Sequence, residues 1–337
     1  MQDVLVSAII PTFNRSDLLP RSVRSVLAQT YRPLELVVMD DGSTDDTPAV
    51  MQALAAEAAQ VGVSFKPLRQ ENAGLSAARN AAVQQAGGEF VAFLDDDDTW
   101  YPEKLTRQMA LLAETGADIA SCFIAKQKAP GRIKTYPSSA ERLLKGRNVE
   151  AVTRGKQSAH TNSIVVRREL YIATGGFDTR LRNKMDHEWL MRMVHHGTYA
   201  SVPEVLGTYE RTPGSMISAE TWEKQLRRHE MSRLCVALVK EKCAHLPTWN
   251  EDAWRDRVAR EVGGSVRHFL LRRDFAGARE RLALIQQMSG VTPGLRTLRR
   301  RYWKYRILAA LHLLRRPDRW ASGAKPSPPV AGPQAAR

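Results

Sequence analysis

Through the first hundred residues, short apolar runs that stop abruptly on polar residues alternate with stretches of helical periodicity, and this alternation restricts the chain to a small group of architectures. Val4 to Ile10 is rich in β-branched residues and halts at Pro11, as a buried strand would. Leu34 to Met39 runs straight into Asp40, Asp41 and Gly42, and Glu89 to Leu94 runs into four consecutive carboxylates, Asp95 to Asp98. A further strand is predicted near Val63 to Leu68. Between these runs, Leu18, Leu19, Val23, Val26 and Leu27 recur at helical spacing before Pro33, and helices are predicted over 47–60 and 76–86, the second stopped by Gly87 and Gly88. Strand and helix in turn imply right-handed βαβ units, and so an α/β fold with a mostly parallel sheet flanked by helices. Ligands on such sheets bind at the carboxyl ends of the strands. The polar segments 11–14, 40–43 and 95–98 are therefore expected to meet along one edge.

Four adjacent aspartates repel one another, and a site that keeps them together ordinarily supplies a cation. Carboxylate oxygens suit hard Mg²⁺ or Mn²⁺, and magnesium typically takes only one or two protein carboxylates, leaving its other positions to water and substrate phosphates. A nucleoside diphosphate is the partner this chemistry predicts. The net charge of +14, from 50 Lys and Arg against 36 Asp and Glu, also favours polyanions. No zinc-finger, RRM or KH signature accompanies that charge, so nucleic acid is not expected as a partner. Cys122, Cys235 and Cys243 are too scattered for a disulfide framework or a zinc site and read as reduced, structural thiols.

Five segments, in order, resemble the family 2 glycosyltransferases: VSAIIPTFNR, LELVVMDDGSTDDT, ENAGLSAARNAA, EFVAFLDDDDTWYPEKL and GGFDTRLRNKMDHEWLMRM, together covering about residues 4–210. The resemblance implies the GT-A fold, a Rossmann-like nucleotide-diphospho-sugar transferase sheet. It further implies that Pro11, Thr12 and Phe13 border the base and ribose, Phe13 as a stacking aromatic. Asp41 matches the carboxylate that reads the base edge, and Arg79 a basic residue near the nucleotide. Asp95, Asp96 and Asp97 overlie the metal-binding region, where Asp97 fits the direct ligand and Asp95 a ribose or metal-water contact; four aspartates in a row leave a one-residue shift open. In the last segment Asp186 aligns with the catalytic base and Glu188 with a second acid, while Met185 stands where the family usually has an acidic residue. His160 is expected to face the acceptor, and His187, His195 and His196 to be surface or packing residues rather than metal ligands.

These matches imply an inverting glycosyltransferase that moves a sugar from a nucleotide-diphosphate donor, UDP-sugar by default, to a saccharide or lipid-linked acceptor in cell-surface polysaccharide or glycolipid synthesis. Two alternatives are a sugar nucleotidyltransferase, which would need a Gly-rich basic phosphate loop that PTFNRSD does not provide, and a catalytically impaired nucleotide-sugar-binding protein, favoured only by Met185. The catalytic domain is expected over 1–215, a helical basic region over 216–322 and a disordered tail over 323–337. Residues 126–156 are expected to form a loop-rich insertion. Within 295–320, Arg296, Arg299, Arg300, Arg301, Lys304, Arg306, Arg315, Arg316 and Arg319 interleave with Tyr302, Trp303, Ile307, Leu311 and other apolar residues, a pattern suited to an anionic membrane surface. No run reaches the about 18 apolar residues of a membrane span and no secretory leader is evident. The expected location is the cytoplasm, peripheral at the inner face of the cell membrane.

Overall fold

A computed structural model describes residues 4–129, 132–210 and 221–310. Its strands are β1 (Val6–Thr12), β2 (Leu34–Asp40), β3 (Ser64–Arg69), β4 (Phe90–Phe93), β5 (Thr99–Trp100), β6 (Ile119–Ala129), β7 (Arg132–Tyr136), β8 (Val165–Arg167) and β9 (Tyr199–Tyr209). The helices are α1 (Leu19–Leu27), α2 (Thr47–Gln60), α3 (Leu75–Gln85), α4 (Lys104–Thr115), α5 (Val149–Thr153), α6 (Arg168–Ala173), α7 (Met185–Met193), α8 (Trp222–Cys243), α9 (Glu251–Glu261), α10 (Gly263–Leu271), α11 (Phe275–Ser289) and α12 (Pro293–Ala310). The chain divides into two compact units, Met1–Arg257 and Val258–Arg337.

In the first unit the sheet order is β3-β2-β1-β4-β8-β6-β9-β5, with β7 paired to β6. β3, β2, β1 and β4 run parallel, as the alternating pattern predicts. Beyond β4 the sheet changes character: β8 is antiparallel to both β4 and β6, β5 is antiparallel to β9, and only β6 and β9 are parallel. The sheet is therefore mixed. The segment 126–156 is also more regular than its composition suggests. β6 extends into it, β7 returns antiparallel to form a hairpin, and α5 follows.

Every residue of β1 and β2 is buried, the signature of strands covered on both faces. On one face Val6, Ala8, Ile10, Leu36, Val38, Phe90 and Ala92 pack with Val23 and Val26 of α1, Leu54 of α2 and Leu105 and Leu112 of α4. On the other, Phe93 meets Tyr171, Phe177 and Trp189 at ring separations of 5.4, 5.5 and 6.2 Å. Burying one such ring contributes about 1.5–3 kcal/mol, and this cluster seats α7 under β4. β3, at the sheet edge, tolerates Pro67 because an edge strand need not donate on both sides.

The first unit continues past residue 215 to include α8, whose Lys242 bonds Asp178 at 2.8 Å and Glu188 at 3.2 Å. The second unit contains α10, α11 and α12, and Gly263 there lets Leu298 approach, since a Cβ at that position would lie 2.7 Å from the leucine Cδ1. Arg315, Arg316, Arg319, Leu311 and the expected tail lie outside the described residues. Among the described residues no helix is long and apolar enough to cross a membrane.

Candidate active site

The order β2-β1-β4 reverses direction at β1, and the crevice between the carboxyl ends of β1 and β4 is where such sheets hold ligands. Thr12, Asp40 and Asp41, and the Asp95–Asp98 loop all emerge there. On the β1–β2 side the loops are tied together. Asn14, in a left-handed conformation (φ 52°), donates its N–H to Ser43 Oγ at 2.9 Å and accepts from the Thr44 N–H at 2.7 Å. Gly42 (φ 83°) presses on the neighbouring loop so closely that a Cβ would lie 2.9 Å from the Asn72 nitrogen. Pro11 and Thr12 are buried, whereas Phe13 is 44% exposed, unusual for a large apolar ring.

Asp41 is buried, and its carboxylate accepts from Gln70 Nε2 (2.8 Å) and from the N–H groups of Ala73 (2.9 Å) and Gly74 (2.8 Å). A carboxylate offers about four acceptor positions, so one remains on Oδ2. Gly74 precedes α3, and α3 carries the next two contacts. Arg79, 2% exposed, pairs with Asp95 and lies 5.2 Å over the Phe177 ring. Asn80 accepts the Phe177 N–H at 2.9 Å and donates to the Phe177 carbonyl at 2.8 Å. Gly176 fits against it because a Cβ there, at φ 61°, would lie 2.5 Å from Asn80 Oδ1.

The four aspartates are not equivalent. Asp98 is fully buried, accepts from the Asn162 amide and from the Glu210 N–H (2.9 Å), and is a structural member of the loop. Burial, with the charges of Asp95 and Asp97, pushes its carboxyl up to about 9. Asp95, Asp96 and Asp97 are each partly exposed. Burial, followed by repulsion from Asp97 and Asp95, raises Asp96 to about 7. Arg79 already compensates Asp95, and the Asp97 carbonyl accepts from Arg21 Nη2 at 2.5 Å. Among the described residues no three His, Cys, Asp or Glu side chains surround one point, so a protein-only cage for a metal is absent there. A crowded carboxylate set beside the crevice fits the chemistry of Mg²⁺ or Mn²⁺ held jointly with phosphate.

Asp186 lies in the first turn of α7, partly exposed, and accepts the His187 N–H at 2.9 Å. Burial works against its charge, but the electrostatic influence of His187 and His160, that hydrogen bond and Lys184 prevail and hold its carboxyl below the usual range. It is ionised at neutral pH. Glu188 is placed differently. Two residues along a helix turn the side chain by about 200°, and Glu188 points inward, with no exposed surface. Its two oxygens accept from Arg192 at 2.8 and 3.0 Å, and Lys242 adds a contact at 3.2 Å. Arg192 also donates to the Thr174 and Gly176 carbonyls. A substrate contact at Glu188 would require breaking this network. Met185 is buried at 5% exposure, so the position where relatives of the family usually carry an acid faces the core here. His195 bonds Thr248 Oγ1 at 2.7 Å and stacks on Trp249, a packing role.

Two groups of site residues lay outside the expectations from sequence. Asn162 ties His160 to the aspartate loop, its carbonyl accepting from Trp100 Nε1 at 2.9 Å. Arg21 bonds Glu210 at 2.7 Å, joining the end of β9 to α1. Neither pairing has a local sequence signal, because the partners are 64 and 189 residues apart.

The model of the family described as Glycosyl transferase family 2 matches residues 7–175. The chain spans less than half the length of the first curated relatives it matches. It is 41% identical over 163 residues to a UDP-Glc:α-D-GlcNAc-diphosphoundecaprenol β-1,3-glucosyltransferase of Escherichia coli, covering 45% of this chain and 60% of that protein. Among solved structures, residues 1–349 of Staphylococcus aureus TarS in complex with UDP-GlcNAc superpose with a TM-score of 0.69 at 19% identity, covering 91% of each chain. The Pyrobaculum calidifontis mannosyltransferase in complex with GDP-Man and Mn²⁺ gives 0.55 at 21% identity, covering 92% of this chain and 87% of that one. Both likenesses are of fold, GT-A in each case. Family match, fold and the convergence of three polar loops on one crevice agree: the chain belongs to glycosyl transferase family 2.

Proposed function

We propose that the protein is a metal-dependent, inverting glycosyltransferase that uses a nucleotide-diphosphate sugar, a UDP-sugar by default, and a saccharide or lipid-linked acceptor. One observation carries this reading: an ionised carboxylate, Asp186, stands apart from the aspartate loop, with His160 in electrostatic reach of both Asp186 and Asp95. Phe13 offers a face for the base, and the remaining acceptor position of Asp41 suits a base N–H. A cation held by Asp97, with Asp95 and Asp96 beside it, would supply charge stabilisation to the departing diphosphate. Asp186 takes the proton from the acceptor hydroxyl as that oxygen attacks the anomeric carbon. The bond from that carbon to the diphosphate oxygen breaks, its electron pair leaves with the nucleoside diphosphate, and the new glycosidic bond has inverted configuration.

The names of relatives support a lipid-linked acceptor: one E. coli and one Campylobacter jejuni protein are named for transfer onto undecaprenol-linked saccharides. Membrane proximity follows from such an acceptor, and α12 suits it. Its segment carries Arg296, Arg299, Arg300, Arg301, Lys304 and Arg306 with no acidic residue, and exposes Trp303 and Ile307 at 56% and 57%. Basic residues around exposed apolar side chains fit an anionic bilayer surface on the cytoplasmic side, in a cell-surface polysaccharide or glycolipid pathway. Against the impaired-binder alternative stand Asp186 and the intact aspartate loop, although Met185 occupies the position of the usual acid.

Calorimetric titration with UDP, GDP and dTDP, in Mn²⁺ and in EDTA, tests the reading on wild type and Asp97→Ala. Metal-dependent binding of one nucleotide, lost in the variant, is expected; binding of none would overturn it.

A further inference from the structure

Three separate segments bring rings together around His160, which lies in electrostatic reach of Asp186. The His160 ring lies 5.9 Å from Tyr136, at the end of β7, and 5.0 Å from Tyr209, at the end of β9. The histidine is held firmly. Its Nδ1 accepts the Asn162 N–H at 3.3 Å, its carbonyl accepts from Ser163 Oγ at 2.6 Å, and Asn162 itself is bonded to Asp98. With Nδ1 accepting, the neutral ring carries its proton on Nε2, leaving that atom a donor. Its charged surroundings are Asp95 and Asp186 on the acidic side and Arg79 and Lys126 on the basic side. Tyr136 is 36% exposed, a large ring presented at the surface.

This cluster differs in chemistry from the nucleotide side of the crevice. Thr12 and Asp41 serve β1 and β2, whereas Tyr136, His160 and Tyr209 belong to the β6–β9 half of the sheet. Lys126 Nζ lies 4.6 Å over the Tyr209 ring, which leaves the exposed Tyr136 ring and the fixed His160 donor to suit a pyranose: its C–H face packs on the tyrosine and a hydroxyl takes the hydrogen bond. We propose that Tyr136, His160 and Tyr209 form the acceptor subsite, binding the terminal pyranose of the acceptor so that its nucleophilic hydroxyl lies against Asp186. The assignment rests on the glycosyltransferase reading and names the residues that would set its acceptor preference. His160 is a positioning residue in it: Nε2–H holds a hydroxyl beside the reacting one, and Tyr136 supplies the stacking face.

The test uses wild type, Tyr136→Ala, Tyr136→Trp, His160→Ala and His160→Gln, each in Mn²⁺, on an array of bacterial glycans with UDP present. UDP and UDP-glucose affinities are measured in parallel by calorimetry. Wild type is expected to retain a defined set of glycans. Loss of the ring or of the donor should weaken them about tenfold, while Tyr136→Trp and His160→Gln, which keep a ring and an N–H donor, recover most of the binding. UDP and UDP-glucose affinities should not move. Four results would overturn the subsite: no glycan retained by wild type, retention unchanged in the alanine variants, equal loss in the conservative variants, or weakening of UDP-glucose relative to UDP, which would assign the rings to the donor sugar. Failure of wild type to bind any nucleotide would instead take down the glycosyltransferase reading on which the subsite depends.

Discussion

Replacing Glu188 with glutamine separates two roles that one carboxylate on α7 could have. The side chain is fully buried and its partner Arg192 is 3% exposed, so Glu188→Gln leaves a buried guanidinium with a neutral neighbour. Removing one member of such a pair costs about 3–5 kcal/mol. A domain of this size moves by about 2–4 °C per kcal/mol, so the melting temperature should fall by roughly 6–20 °C. Lys242 is 28% exposed, and its two contacts are partly screened by solvent, so Lys242→Met should cost only about 1 kcal/mol. Thermal unfolding followed by circular dichroism gives the first quantity, and UDP titration below the transition the second. The expected pattern is a large loss of stability for Glu188→Gln with nucleotide affinity retained. A melting temperature unchanged within about 2 °C, together with loss of nucleotide or sugar transfer, would refute the ion-network account and return Glu188 to the substrate.

Asp186→Asn should lower transfer by at least about 100-fold while nucleotide binding persists, measured as release of nucleoside diphosphate with a saccharide acceptor. Because the Asp186 carboxyl is held below its ordinary value, the base stays ionised through mild acid, and the acid limb of the rate profile should lie below the ordinary carboxylate range; a limb near neutrality would contradict this. Asp98 has the opposite sign. Its folded value, raised to about 9, lies above the unfolded value of about 3.9, so its contribution to stability is full in acid and is lost as pH rises through 9. Asp98→Asn cannot ionise, and Asn162 Oδ1, buried without a partner, can accept its amide after a flip. The variant should gain in melting temperature on wild type between pH 5 and about pH 9 in EDTA; a constant difference would argue against a neutral Asp98. Trp303→Glu combined with Ile307→Glu should abolish co-sedimentation with phosphatidylglycerol vesicles, and undiminished binding would remove α12 as the membrane contact.

β1, β2 and β4 were legible because each is buried throughout and reads as a largely apolar run ending in polar residues, whereas β3, half-exposed at the sheet edge, was legible by its place in the alternation. β8 has three residues and β5 two, too short for any periodicity, and their antiparallel directions depend on how the intervening chain returns. β7 and the end of β6 were hidden by the basic and polar residues Lys126, Gln127, Lys128, Arg132 and Lys134, since a hairpin that projects off the main path of the sheet need not be apolar. At the site, sequence brought the right loops together but not the individual orientations. Helical geometry alone separates Asp186 from Glu188, two positions apart on α7, and could have assigned one to the partly exposed face and the other to the interior. The distinction between Asp98 and its three neighbours needed Asn162 and Glu210, which only the folded chain supplies.

α3 starts at the clamp on Asp41 and reaches Asp95 through Arg79. The five residues of α3 from Leu75 to Arg79 span about 7.5 Å of helix, so the separation between the candidate base-reading and metal-side carboxylates is measured out by a rigid rod rather than by flexible connections. Inserting a single residue into that span would swing the guanidinium by about 100° and lengthen the rod by about 1.5 Å. Loops elsewhere around the crevice can change length as acceptors change, while this interval keeps its gauge. Any tilt of the rod is transmitted to the aspartate loop, giving the two ends a common mechanical register.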